Sequence, residues 1–337
     1  MRTNTSFDTS GAGPLARAQG CLMGQVAGDS LGSLVEFQGA ASIERQYPGG
    51  PRLLRDGGVW NTVAGQPTDD SELALALARS LALDGNYDEQ AVARSYAAWY
   101  ASGPFDVGTT TGAALAPAAA ADKAGRNAAA AAKEQADPGS QSNGALMRVS
   151  PLGVFGVRLS AAELARCARS DASLTHPHRV CQDSNAVYTA AIAFAIRTGG
   201  EPQQVYEHVS DTIQGMDIDP TVSGCVQEAE SRPPAEYERN QGWVLIALQN
   251  AFYRLLHAPA FEDGVVETVR RGGDTDTNAA IAGALLGAVW GIEAVPRQWL
   301  ECVLNCRPER GRGGVYRPRP QEYWPVDILT LASQLLG

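Results

Sequence analysis

Small residues recur every four positions along two stretches of this chain. In GCLMGQVAGDSLGSLVE they are Gly20, Gly24, Gly28 and Gly32, and Glu36 ends the series. In TDTNAAIAGALLGAVWG they are Ala279, Gly283, Gly287 and Gly291. Four-residue spacing puts each set on one face of a helix. Glycine inside a helix costs about 1 kcal/mol relative to alanine, so two such stripes require a packing need that outweighs the cost. Small stripes let helix backbones approach closely, a geometry described for membrane helices and open to a soluble core as well. A third helix, ELALALARSLAL after Asp70, carries Ala74, Ala78 and Ala82 at the same spacing. The pattern predicts an all-α fold, a compact multi-helix orthogonal bundle, with the first helix antiparallel to the other two.

Antiparallel packing would bring the C-terminal end of the first helix to the N-terminal ends of the others, and acids stand at all three. Glu36 closes the first helix. Thr68-Asp69-Asp70-Ser71 opens the second after Pro67, and Asp274, Asp276 and Thr277 open the third after Gly272-Gly273. A close-packed bundle explains the stripes but not the acids. Asp is a preferred N-cap, and Asp69 with Glu72 has capping-box spacing, but capping accounts for one aspartate better than for two. Hydroxyls beside paired carboxylates are hard oxygen ligands of the kind magnesium or manganese takes. The positive helix terminus repels a cation, so several carboxylates are needed to offset it. Two helix starts that each pair Thr with two Asp look like halves of one metal site at converging helix ends.

Three further segments interrupt the helical pattern. In GPFDVGTTT, Asp106 stands beside glycine and hydroxyls, a place for an acid, a base or a helix cap. SQSNGALMR offers backbone N–H groups at a helix start, suited to a phosphate or sugar oxygen, although Asn-Gly is also a common turn. LTHPH holds His176 and His178, and a lone histidine is more often a structural hydrogen-bonder than a ligand.

Taken in order, GDSLGSLVE, PTDDSELALAL, PFDVGTTT, SNGALMRVSPLGVF, LTHPHRVCQDSNAVYTAAIA and GGDTDTNAAIAGALLGAVWG resemble the successive motifs of the ADP-ribosylglycohydrolase family. The likeness spans roughly residues 15 to 335. The resemblance implies a metal-dependent hydrolase that removes ADP-ribose from a modified protein side chain, most readily ADP-ribosyl-arginine, with two divalent cations, Mg2+ or Mn2+. It implies that Thr68, Asp69, Asp70, Asp274, Asp276 and Thr277 hold the cations. Glu36 would bind metal or water and gate the pocket. Asp106 stands where bacterial members carry a water-activating aspartate, which makes it the expected general base with Glu36 its rival. Gly108, Thr109, Asn143, Gly144, Met147 and His176 fall where the family meets its substrate. Ser71 replaces a threonine common among relatives and keeps the hydroxyl.

Composition bounds the partners. A net charge of -10 argues against unspecific nucleic-acid binding. No uninterrupted apolar stretch is long enough to span a bilayer and no basic, apolar signal opens the chain, so a cytoplasmic protein is expected; the resemblance implies an ADP-ribosylated protein as its partner, and a monomer is expected. The six cysteines form no CxxC pair, a usage typical of buried thiols. With four histidines and no Ser–His–Asp or Cys–His pattern, metal-assisted hydrolysis is the chemistry to expect. Residues 1–13 read as a flexible arm ahead of one domain over 14–337. That arm motivates an alternative, an immunity-type protein that binds and blocks a cognate toxin ADP-ribosyltransferase. Residues 201–240 read as polar and irregular, and residues 308–320, with Arg310, Arg312, Arg317 and Arg319, as a solvated loop.

Overall fold

The structure, a computed structural model, describes residues 12–337. All but the last two residues of the arm over 1–13 therefore lie outside the described residues. Among the described residues there are sixteen α-helices, short 3-10 turns and isolated β-bridges, with no β-strand. Buried apolar side chains from Ala18 to Leu335 form one contiguous core. None of the helices is long and apolar enough to cross a membrane.

The glycine stripes meet as the spacing predicts. The opening helix, Pro14–Gly32, runs antiparallel to the helix Thr275–Trp290. A Cβ on Gly20 would overlap the Gly287 carbonyl oxygen, one on Gly24 that of Gly283, and one on Gly28 that of Ala279. At the far end, a Cβ on Gly32 would run into the Asp276 backbone. Nothing larger than hydrogen fits at Gly20, Gly24, Gly28 and Gly32, which is why the helix accepts the cost of glycine. The opening helix is buried along almost all of its length. Arg17 is buried as well and donates to the backbone carbonyls of Val289, Ala12 and Gly199.

The helix Asp69–Asp84 also lies antiparallel to the opening helix, with looser packing. Ala74 and Ala78 face Leu22, Gln25 and Val26 across a small gap that Pro151 and Ile328 help to line. This helix ends at Gly85 in the left-handed conformation, φ 65°, as Gly85-Asn86 predicts. Ser160 and Glu163 form the predicted capping box.

Three expectations need correction. Residues 201–240 hold two helices, Pro202–Gly215 and Pro220–Ala229. Each has proline in its first turn, where the missing N–H costs nothing. Each buries a stripe, Val205, Tyr206 and Val209 in one and Val222, Cys225, Val226 and Ala229 in the other. The polarity read from the sequence belongs to their outer faces. Second, residues 308–320 are not simply a solvated loop. Arg319 is buried and grips Glu72, with its Nε 2.8 Å from Oε1 and its Nη2 2.8 Å from Oε2. Third, Glu72 is therefore the counter-ion of Arg319 rather than a capping-box partner, and it also accepts from Trp99 Nε1 at 2.7 Å. Burial pushes its carboxyl up to about 6 against the opposing pull of Arg319.

Gly24→Ala should destabilise the fold by about 3 kcal/mol or more, because backbone faces the new methyl and cannot rotate away. Gly224→Ala, inside a helix and with open space around its Cβ position, should stabilise by up to about 1 kcal/mol. Denaturant unfolding of the two variants beside the parent checks both signs. Arg319→Met should cost about 3 kcal/mol by leaving Glu72 buried without its partner, read in the same measurement.

Candidate functional site

The three acid-bearing helix ends converge. Glu36, Asp69, Asp70, Asp106, Gly108, Thr109, Asn143, Gly144, Met147, Asp274, Asp276 and Thr277 all line one cleft of about 280 Å³, together with Phe37, Thr110, Thr111, Ser142 and Gly242. Thr68 and His176 are buried and do not line it. Thr68 lies beneath the acids, its hydroxyl 2.9 Å from Asp70 Oδ2. His176 stands behind the wall, its Nε2 2.8 Å from Ser142 Oγ and its Nδ1 2.8 Å from Thr175 Oγ1. Burial, with Arg148 nearby, lowers the His176 imidazole to about 3, so it is neutral.

Local backbone explains the convergence. Gly272 and Gly273 have φ of 75° and 76°, the left-handed region that glycine enters freely. Their loop is stitched to the turn after the opening helix, with Phe37 N donating to Gly273 O at 2.8 Å and Gly273 N to Gln38 O at 2.9 Å. Two backbone bonds thus tie the segment carrying Glu36 to the segment carrying Asp274. Thr275 Oγ1 donates to Gly32 O at 2.8 Å and closes the same junction. Across the cleft, Asn143 N donates to Gly242 O, and Asn143 Nδ2 reaches Asp274 Oδ2 at 2.7 Å. Gly144 admits no side chain, since a Cβ there would stand 2.8 Å from Thr111 Oγ1 and 2.9 Å from His176 Cε1.

The aspartates are not simply caps of their own helices. Neither Thr68 nor Asp274, the two N-cap positions, makes a side-chain cap bond. Asp276 does accept from Thr277 N at 2.9 Å. The Asp69–Asp84 helix is capped from outside by Asp29, which the sequence reading passed over. Its carboxylate accepts from Thr68 N at 3.1 Å, Ser71 N at 3.1 Å and Thr68 Oγ1 at 3.0 Å. The signal was present in the sequence, since an aspartate inside a striped, wholly buried helix is an anomaly. Trp60 was also missed. Its Nε1 donates to Glu36 Oε2 at 2.6 Å and orients that carboxylate.

The charge balance is one-sided. One oxygen each of Asp29, Asp70 and Asp276 lie within 4.8 Å of one another, and so do oxygens of Glu36, Asp106 and Asp276. Asp276 belongs to both groups. Among the described residues no lysine or arginine lines the cleft. Burial first, then repulsion from Asp69 and Glu36, pushes Asp106 up to about 10. Burial and the Asp274 charge push Glu36 up to about 8. Burial takes Asp29 to about 7 and Asp69 to about 6, and raises Asp70 and Asp276 well above the carboxylate range. Asp70 Oδ1 is buried with no hydrogen-bond partner, although buried polar atoms are almost always paired. Carboxylates that crowd together and leave an oxygen unserved fit a divalent cation, which takes oxygen donors and removes their mutual repulsion.

Known proteins resemble this chain over most of its length. The chain is 28% identical over 294 residues to the ADP-ribosyl-[dinitrogen reductase] glycohydrolase of Rhodospirillum rubrum, covering 87% of this chain and 92% of that protein. It is 26% identical over 308 residues to the ADP-ribosylarginine hydrolase Tri1 of Pseudomonas putida, covering 86% and 74%. A solved structure titled "ADP-ribosylglycohydrolase-related protein complex" superposes with a TM-score of 0.75 at 26% identity, over 96% of this chain and 98% of that one. Residues 10–324 match the family model described as ADP-ribosylglycohydrolase, and the chain belongs to that family.

Proposed function

We propose that this protein is a metal-dependent hydrolase that removes ADP-ribose from a modified protein side chain, with ADP-ribosyl-arginine the preferred linkage. The observation that carries this reading is the uncompensated set of carboxylates in one cleft, with Asp70 Oδ1 left without a donor. Relatives named for arginine and dinitrogen reductase substrates support the linkage. Thr68, Asp69, Asp70, Asp274, Asp276 and Thr277 would hold two divalent cations, Mg2+ or Mn2+, with Glu36 at the edge of the set. The geometry adds Asp29, which shares oxygens at close range with Asp70 and Asp276. When bound, such ions supply positive charge to ribose hydroxyls and to water.

The chain's own groups then divide the work. Asp106, whose carboxyl the positive charge of bound cations would return to its ionised form, would take the proton of the attacking water, with Glu36 as the rival for that role. The water oxygen bonds to the anomeric carbon, and the N-glycosidic bond breaks with its electron pair going to the guanidine nitrogen. That nitrogen accepts a proton, leaving free ADP-ribose and arginine. Neighbouring carboxylates stabilise the oxocarbenium-like charge that develops on the sugar. Gly108, Thr109, Asn143, Gly144 and Met147 position the ADP-ribose along the cleft wall. His176 acts one layer back by holding Ser142. All six cysteines are free thiols, a state a reducing compartment maintains.

Incubated with an arginine-modified protein and Mg2+ or Mn2+, the protein should release free ADP-ribose, detected by chromatography. Asp106→Asn should lower kcat by about 10²- to 10⁴-fold, the usual contribution of a general base, and Asp274→Ala should abolish metal-stimulated release. No release with either ion, together with Asp274→Ala indistinguishable from the parent, would sink the reading.

Stability supplies a second check. Asp29 and Glu36 hold protons in the folded state up to about 7 and 8, well above ordinary unfolded carboxyls. Their stabilising contribution is full at acid pH and is lost as pH rises through those values. With a chelator present, Tm should therefore fall between pH 6 and pH 9. Mn2+ should restore it, and by more at pH 8 than at pH 6, because protons compete with the ion for the same oxygens. A Tm that is flat with pH and indifferent to Mn2+ in thermal melts would contradict this.

A further inference from the structure

We propose that Phe37 is the acceptor-selecting residue of the cleft, with its ring presented to stack on a planar guanidinium. This rests on the hydrolase reading above and adds the means by which arginine is chosen. An exposed phenylalanine alone is unremarkable. This one is 56% exposed while its chain neighbours Val35 and Glu36 are buried, and it stands on the wall of a polar, acidic cleft.

Its backbone makes it more unusual. Phe37 has φ of 61°, a left-handed conformation that a bulky side chain resists. Among the described residues only Asn61 and Asn240 share a positive φ without being glycine, and asparagine is the residue type that tolerates it. Glycine or asparagine would suit position 37 better on backbone grounds. The strained conformation is over-determined by the bonds from Phe37 N to Gly273 O and from Gly273 N to Gln38 O. The backbone that carries the ring is therefore held in place at the cleft wall. Strain retained at a cleft wall points to a use for the side chain.

The surroundings say what the ring meets. Glu36, Asp69, Asp106 and Asp274 share the cleft with it, and among the described residues no lysine or arginine does. An aromatic face with no basic side chain beside it attracts a delocalised, weakly hydrated cation. A guanidinium has that charge and that planar shape. A neutral hydroxyl acceptor, such as serine, gains nothing from either feature.

The test compares arginine-linked and serine-linked ADP-ribosyl peptides of matched sequence with the parent, Phe37→Gly and Phe37→Trp, all loaded with Mn2+. Phe37→Gly should raise KM for the arginine-linked peptide by about five- to tenfold, as loss of a partly desolvated cation–π contact would. Its kcat should stay within twofold, and its Tm should be no lower than the parent's, since a strained, exposed side chain is all that is removed. Phe37→Trp should restore KM. The proposal is overturned if Phe37→Gly leaves the arginine KM unchanged, if kcat falls in place of a rise in KM, or if serine-linked peptide is hydrolysed preferentially. A parent that releases ADP-ribose from neither peptide overturns the hydrolase reading itself, and the proposal with it.

Discussion

The backbone-to-backbone seam between Pro14–Gly32 and Thr275–Trp290 is the contact on which the site depends. Like charges repel most strongly where water is excluded, and this cleft gathers Glu36, Asp69, Asp70, Asp106, Asp274 and Asp276, with Asp29 close to Asp70 and Asp276 and no basic side chain in the lining among the described residues. Such a cluster forces its carriers apart unless they are fixed by something stiffer. Here the fixing is steric and apolar. Glycine against glycine leaves no side chain to yield, and both helices are buried nearly throughout. The burial that raises the carboxyls is thus the same burial that anchors the helices presenting them.

The sequence revealed this seam because both of its halves are written in a period of four. A stripe of glycines is costly in any other setting, so its meaning is narrow. The convergence of Glu36, Asp69, Asp70, Asp274 and Asp276 followed from pairing the stripes antiparallel. What the sequence hid has common physical causes. Asp29 caps a helix that is not its own, and no local spacing encodes a cap supplied from about forty residues away. Arg319 sits among glycines and prolines that look solvated, yet it finds Glu72 nearly 250 residues earlier. The helices Pro202–Gly215 and Pro220–Ala229 were masked by outer faces rich in polar residues, although their apolar positions keep helical spacing.

Family membership and local geometry answer different questions. The first places the chain among ADP-ribosylglycohydrolases. The second shows how its own atoms are arranged, and here they add detail to a family pattern. Asp276 participates in both close carboxylate groups, Trp60 donates to Glu36, and His176 bonds to Ser142 from behind the cleft wall. Each of these is a relation between side chains, legible only after folding.

The seam also has a history in time. Thr275 bonds to Gly32 across 243 residues, so the opening helix leaves the ribosome long before its partner exists. At about 5–20 residues per second, that helix waits on the order of ten seconds or more with its glycine face uncovered. A segment whose tightest-fitting neighbour is made some 243 residues later is exposed to mispairing throughout that interval. The nascent chain, rather than the finished protein, is where this architecture is most vulnerable, and where holding chaperones would have most to do.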